Sequence, residues 1–538
     1  MDQTTRLPER SGIPANEAAP RIRAVVFWPP FALLGVAVVS SFFNLEGFLT
    51  TTSRINDWIL THFSWLFSLS ALLLLLTLVW VYFSPIASVR LGGEQAQPLL
   101  SRWRWFAITL CTTIATGILF WGTAEPMFHL HAPPQSLELA SGSPEAARFA
   151  LSTLFLHWSF TPYAIYTVPA LTFALVYYNL NKPFSLGSAL SPVLGSWTQG
   201  RGGQVVDAIA LYALVAGMSA SLGAGVLTLS GGLDNLFGIG SGPSTRALVT
   251  TLIVATFIIS AVSGLHRGIS RLSNINIRLF FGYCLFVFLF GPTLFILEVG
   301  VESFGEYLSE FFSRSLYTGA AAADPWPKSW TIFYWANWFA WAPITAMFLG
   351  KIARGYTVRE FIQVNMVLPA LFACVWMSVF GGTALQMDIS ENGALYQVLQ
   401  TKGGEAVIYA IFDRLPLAGI TVAVFVFITF LSYVTAADSN TEAMSQLCTR
   451  SSPNEPELNE SRSVRLRLKF AWGVAIGIVA WVMVSFANID GIRMMSNLGG
   501  LPAMFIILII NFALIKLVRQ FSHNSSQNSS QNNLSPRQ

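Results

Sequence analysis

Ser329-Trp330-Thr331-Ile332-Phe333-Tyr334-Trp335-Ala336-Asn337-Trp338 opens a run that continues through Trp341 and meets no charge until Lys351. A bilayer core of roughly 30 Å needs about 20 predominantly apolar residues in one helix, and 330–350 has that length. Working outward, runs of the same kind lie near 24–44, 58–83, 104–123, 151–178, 205–232, 246–266, 276–297, 361–383, 415–437, 468–488 and 498–518. With 330–350 they make twelve. The reading is an all-α integral membrane protein of about 12 transmembrane helices. Two segments are too amphipathic to span: 301–317, expected to lie on the membrane surface, and 392–411, expected as an outer loop.

Composition agrees. Of 538 residues, 53% are hydrophobic and only 11% charged, whereas soluble domains are about 25% charged. So few charges cannot cover a water-soluble particle of this size. A net charge of +4 gives no basis for a nucleic-acid partner. Cys111, Cys284, Cys374 and Cys448 are scattered through apolar runs with no close pair, and read as small buried hydrophobes rather than a disulfide or metal framework. Residues 1–23 are polar and lack a signal-peptide core, so the first apolar run is expected to stay in the mature protein.

With both termini placed inside, the inner segments hold 23 of the 31 Lys and Arg residues. That excess predicts a multi-pass protein of the plasma membrane or inner membrane with cytoplasmic termini. The last residues, 519–538, are rich in Ser, Asn and Gln and read as a short disordered tail.

Charge inside a span is costly and usually functional. Glu125, Asp207 and Asp438 stand near expected helix ends, and His157 lies deeper. Glu125 and Asp438 read either as caps or as functional charges. His157 reads either as bonded to a backbone carbonyl or as functional. Asp207 is expected to cap the start of its helix. Three spans carry small or polar residues: Thr112–Gly117 in the third, Ala216–Gly223 in the fifth and Ser432–Ser439 in the tenth. In the fifth these suggest close helix packing. In the third, a loosened helix would free backbone groups, which is tolerable only beside a solute cavity.

Two aromatic clusters lie inside spans rather than at their edges. Trp158, Tyr163 and Tyr166 share an arc of roughly 140° on the fourth span, and Trp335, Trp338 and Trp341 share roughly 120° on the eighth. Trp330 falls at the membrane edge. Two such faces either pack against each other or form a cage, because aromatic faces bind quaternary ammonium groups.

Four stretches now resemble the betaine/carnitine/choline transporter family. Ser329–Trp338, continuing to Arg354-Gly355 and Arg359-Glu360-Phe361, is close to its signature. His157-Trp158-Ser159-Phe160-Thr161-Pro162-Tyr163-Ala164-Ile165-Tyr166 resembles its fourth-span aromatic motif. Phe120-Trp121-Gly122-Thr123-Ala124-Glu125-Pro126 resembles the end of its third span, and Thr435-Ala436-Ala437-Asp438-Ser439 its tenth-span motif.

The resemblance implies a leucine-transporter-like fold with two inverted five-helix repeats. Its order would be a cytoplasmic segment (1–23), two extra N-terminal helices and loop (24–103), the first repeat, spans 3–7 (104–298), an amphipathic linker (299–329), the second repeat, spans 8–12 (330–518), and the tail (519–538). The implied substrate is a small onium solute: glycine betaine, choline, carnitine or dimethylsulfoniopropionate. Trp158, Tyr163, Tyr166 and Trp338 would form the aromatic box, Trp335 and Trp341 would fall on further family tryptophans, and homotrimers are expected. Departures are visible. Thr113 and Ala115 stand for two glycines of the family's Gly-x-Gly-x-Gly, which ends here in Gly117. Asn337 replaces a common Trp and adds an amide beside the pathway, and Tyr163 takes a position that is commonly Trp. Where sodium-coupled members have Thr-Ser on the tenth span, this chain has Thr435-Ala436, and two fifth-span threonines are Leu214 and Met218. Thr435 with Thr112, Thr113 or Thr116 would rebuild at most one sodium site, so sodium, a proton or solute exchange all stay open for coupling. No cofactor is expected. A membrane enzyme is disfavoured, since no span carries His-Glu-x-x-His, Gly-x-Ser-x-Gly or a His/Asp metal set. A sensor is disfavoured by the short terminal extensions. An amino-acid or other small-solute symporter of the same fold is the nearer alternative.

Overall fold

Residues 22–114, 117–262, 266–449 and 459–532 are described by the computed structural model. In chain order the long helices are α1 (Ala24–Phe43), α2 (Leu45–Phe83), α3 (Arg102–Ile114), α4 (Gly117–His131), α5 (Pro144–Trp158), α6 (Phe160–Ala174), α7 (Arg201–Phe237), α8 (Pro243–Val262), α9 (His266–Phe290), α10 (Thr293–Ser309), α11 (Thr331–Ile352), α12 (Leu368–Ser390), α13 (Ala418–Leu447), α14 (Asn459–Phe486) and α15 (Asn488–Asn532). Among the described residues there is no strand, only the bridges Ile22 to Thr449 and Arg90 to Thr357.

Among the described residues, nine stretches are long and apolar enough to cross a membrane, and two bent helix pairs bring the number to eleven. The pairs are α3 with α4, bent by 55°, and α9 with α10, bent by 109°. The remaining expected span is α11. At 22 residues it is long enough, but its tryptophans, Tyr334 and Asn337 lower its mean hydropathy, and it is not among the eleven.

Three local expectations are corrected. The run 276–297 is not one straight helix: α9 stops at Phe290, and Gly291-Pro292 turns the chain sharply. Pro292 has no N–H to continue the ladder and crowds the preceding turn. The lateral helix therefore begins at Thr293, earlier than 301, and packs on α5 and α12. Residues 519–532, expected to be disordered, continue α15 as helix. No Gly or Pro interrupts the chain there until Pro536, so the apolar part's hydrogen-bond ladder runs on. Asp207 does not cap α7, which starts six residues earlier at Arg201. It is fully buried, pairs with Arg23 at 2.7 Å and accepts from Ser185 and the Gly187 N–H, fastening the segment before α1 to α7.

The core is centred on α11, which packs against α6, α7 and α15. Glycines let these axes approach. A Cβ on Gly500 of α15 would lie 2.4 Å from the Ala336 carbonyl oxygen, and one on Gly350 of α11 would lie 2.7 Å from that of Ala170 on α6. Without a hydrophobic drive between helices in lipid, such close backbone packing is the main source of association. Small residues of α7 behave as expected: α7 is unbroken, with Gly217 against Ala340 and Trp341, and Gly223 against Val484.

Candidate functional site

Two helix breaks meet at α11. The first separates α5 from α6 at Ser159 (φ −108°, ψ −122°). Pro162 explains it: three residues on, it cannot donate to the Trp158 carbonyl, and its ring crowds that group. Trp158 thus ends one helix while Tyr163 and Tyr166 stand on the next. The second break is the 55° bend after Ile114. Ala115 lies outside the described residues. Gly117, which opens α4, faces Trp158: a Cβ there would sit 2.9 Å from Cη2 of that indole.

Trp338 gathers the other rings. Its centroid lies 5.3 Å from Trp158, 5.6 Å from Tyr166 and 6.2 Å from Tyr163. The interplanar angles to Trp158 and Tyr166 are 83° and 89°, the relation of adjacent walls in a box. All four rings are buried. The other two tryptophans of the stripe go elsewhere. Trp335 stands edge-on to His157, 6.0 Å away, and Trp341 abuts Gly217 on α7. Asn337 accepts a hydrogen bond from Ser496 of α15 at 3.0 Å.

Behind the box lies Glu125, fully buried, which caps no helix end. It accepts four hydrogen bonds: from His157 Nδ1 (2.7 Å) and His129 Nε2 (3.1 Å) on Oε1, and from Trp158 Nε1 (2.9 Å) and the Tyr334 hydroxyl (2.5 Å) on Oε2. His157 Nε2 also meets the Thr331 hydroxyl at 3.0 Å, and the His157 carbonyl accepts from Trp338 Nε1 at 3.0 Å. Trp330, at the start of α11, is buried, with its ring 4.6 Å from His129 and the Arg493 guanidinium 4.6 Å over it. Asp438 lies within α13 and is held by Lys469 at 3.6 Å and Ser260 at 3.2 Å.

Of the hydroxyls weighed for sodium, Thr112 and Thr113 lie on α3 and Thr435 on α13, which pack together, while Thr116 lies outside the described residues. Asn276 of α9 links them, meeting Cys111 Sγ at 3.9 Å and donating to Ser432 at 2.9 Å. Thr113 and Thr435 donate to Thr109 O and Leu431 O of their own helices, leaving lone pairs open. Thr112 Oγ1 is buried with no partner among the described residues. Ala436, Leu214 and Met218 are buried and offer no side-chain oxygen.

The profile described as "BCCT, betaine/carnitine/choline family transporter" matches residues 25–523. The chain belongs to this family. Members are transporters rather than enzymes. Among relatives, the glycine betaine transporter OpuD of Bacillus subtilis (strain 168) is 31% identical over 90% of this chain and 92% of its own length. The high-affinity choline transport protein of Escherichia coli (strain K12) is 30% identical over 93% of this chain and 72% of its own. The ectoine/hydroxyectoine transporter of Virgibacillus pantothenticus is 29% identical over 87% and 90%. This family member is therefore a multi-pass transporter.

Sequence reasoning had flagged Glu125 and His157 as costly charges. It missed that they, with His129, Thr331 and Tyr334, form one cluster. No single-span periodicity could show it, because the partners come from α4, α5 and α11.

Proposed function

We propose that this family member is a secondary active transporter that takes up a quaternary-ammonium or sulfonium compatible solute by alternating access. Glycine betaine, choline, carnitine and dimethylsulfoniopropionate are the candidates. One observation carries the reading: three buried rings from α5 and α6 close on Trp338 of α11. A quaternary ammonium has no N–H to donate, so hydrogen-bonding groups cannot recognise its head. Aromatic faces can, at about 2 kcal/mol for a desolvated contact. In this reading Trp158, Tyr163, Tyr166 and Trp338 hold the onium group. Ala115 and Gly117 let the broken span approach it. Trp335, Trp341 and Asn337 line the route.

The architecture proposed with it has twelve spans, α11 being the eighth, arranged as two inverted repeats (spans 3–7 and 8–12) behind two extra helices. Both termini face the cytoplasm, as the Lys and Arg excess favours, and the protein assembles as a trimer like others of its family. At most one sodium ion couples transport, held by Thr435 with Thr112 and Thr113. Sodium needs oxygens to replace its hydration, and the buried Thr112 hydroxyl, which has no partner among the described residues, supports such a place.

The ectoine relative gives ground for a second reading, a symporter of the same fold for an amino acid or other small solute. The test is uptake into proteoliposomes of labelled choline, glycine betaine, carnitine, dimethylsulfoniopropionate, ectoine and proline, with sodium and proton gradients imposed separately. Accumulation of an onium solute, competed by its analogues and not by proline, is expected. Accumulation of proline or ectoine alone would overturn the onium reading.

A further inference from the structure

Glu125, His129 and His157 have no exposed surface, and their ligand atoms lie within 4.8 Å of one another. A carboxylate only accepts, so the imidazole nitrogens facing it, His157 Nδ1 and His129 Nε2, must carry their protons. With Trp158 and Tyr334 donating as well, both oxygens of Glu125 are engaged twice. A metal ion would have to break these bonds. A proton would not. His129 Nδ1 is buried with no partner among the described residues. His157 Nε2 faces the Thr331 hydroxyl, which can rotate to donate or accept. Each imidazole therefore has one nitrogen that can be bare or protonated without losing a bond.

The charge balance favours a proton. With both imidazoles neutral, the cluster carries the buried charge of Glu125, which is expensive without a counter-charge. Most charged neighbours pair with one another. Arg493 of α15, lying over the Trp330 ring that packs on His129, is the nearest cation, and it shares its charge with the exposed Asp490, which it bonds at 3.1 Å. His131 of α4 is held by Asp388 of α12 at 2.6 Å, and Glu405, beside α4, faces Arg246 at 3.4 Å. Tyr334 of α11 is a neutral donor to Glu125. One proton on either imidazole would neutralise the cluster.

That proton would be felt in the aromatic box. Trp158 donates its indole N–H to Glu125, and Trp338 donates its own to the His157 carbonyl. A bare carboxylate enriches the Trp158 ring in electron density and places negative charge behind it. Both effects strengthen attraction for an onium group. We infer that Glu125, His129 and His157 form a proton site linked to the solute site, the onium group entering as the proton leaves. The charge balances: one unit enters the box while an imidazolium N–H bond gives its proton to water. This rests on the onium reading above.

The experiment titrates purified protein with choline, and in parallel with glycine betaine, between pH 5 and 8, where histidine changes charge. Neither solute titrates in this range, so any linked proton comes from the protein. Affinity is expected to fall as pH falls, approaching tenfold per pH unit for one linked proton. Mixing with solute in weak buffer should release protons, read by an indicator dye. Glu125→Gln and, should that variant not fold, His129→Gln and His157→Gln should flatten the pH dependence and abolish the release. Binding that is independent of pH in the wild type, or release that persists in folded Glu125→Gln or in both histidine variants, overturns the linkage and leaves the onium reading intact. Failure of every onium solute to bind at any pH overturns the onium reading and the linkage with it.

Discussion

Trp338 is one side chain on which three rings from another helix pair converge, and its indole N–H is tied to the His157 main chain. Truncating it removes a wall of the box and the central partner of the other rings. Trp338→Ala should weaken onium binding by about 2 kcal/mol, roughly thirty-fold. Trp28 is 57% exposed on α1 and serves as the comparison. Trp28→Ala should leave the affinity within twofold. Calorimetric titration with choline or glycine betaine reads both. Equal losses in the two variants would remove the box assignment. Trp330 could not serve as this control, although its position in the sequence pointed to a membrane edge. Its contacts with His129 and Arg493 put it in the buried cluster.

Helix breaks and helix crossings govern behaviour at the scale of elements. Gly117 opens α4 against the Trp158 ring. Gly117→Val should therefore abolish uptake while the protein still inserts and elutes as a single folded species, because the added methyls meet the Trp158 ring of the box rather than backbone. Wild-type uptake in this variant would mean that the bend is only a packing feature. The anchor between Arg23 and Asp207 makes a different prediction. Removing one partner of a buried ion pair leaves an uncompensated charge, at a cost of about 3–5 kcal/mol. Arg23→Ala should lower the thermal midpoint in detergent markedly, and adding Asp207→Asn should recover much of the loss. No recovery in the double variant would show that Arg23 acts through its own contacts, including the Leu447 carbonyl, and not through charge.

Coupling is a question for the molecule as a whole, since the sodium site proposed here on α3 and α13 lies on other helices than the box on α5, α6 and α11. Ala436, Leu214 and Met218 supply no side-chain oxygen, and Thr435 is the remaining hydroxyl of its pair. A flux measurement with labelled sodium and labelled solute should therefore give at most one sodium per solute. If sodium stimulates uptake, Thr435→Ala should abolish that stimulation. If it does not, replacing sodium by potassium should leave uptake unchanged. A stoichiometry of two would contradict both forms.

The sequence alone determined that this is a helical membrane protein, where most of its spans lie and which family it belongs to. Those properties depend on apolar length, charge scarcity and local motifs, all written along one strand of chain. It also placed Trp158, Tyr163, Tyr166 and Trp338 as partners, through the resemblance. Tertiary structure alone decided the rest. The aromatic stripe on α11 reads as one face by periodicity, yet Trp335, Trp338 and Trp341 meet three different neighbours: His157, the box and Gly217. Asp207 read as a helix cap, and Glu125 either as a cap or as a functional charge, because acids near span ends often cap. Their actual partners are distant in sequence, Arg23 for one and His157 and Tyr334 for the other. A buried charge in a membrane is satisfied by whatever donors the packing brings within about 3 Å, and no local pattern records which donors those will be.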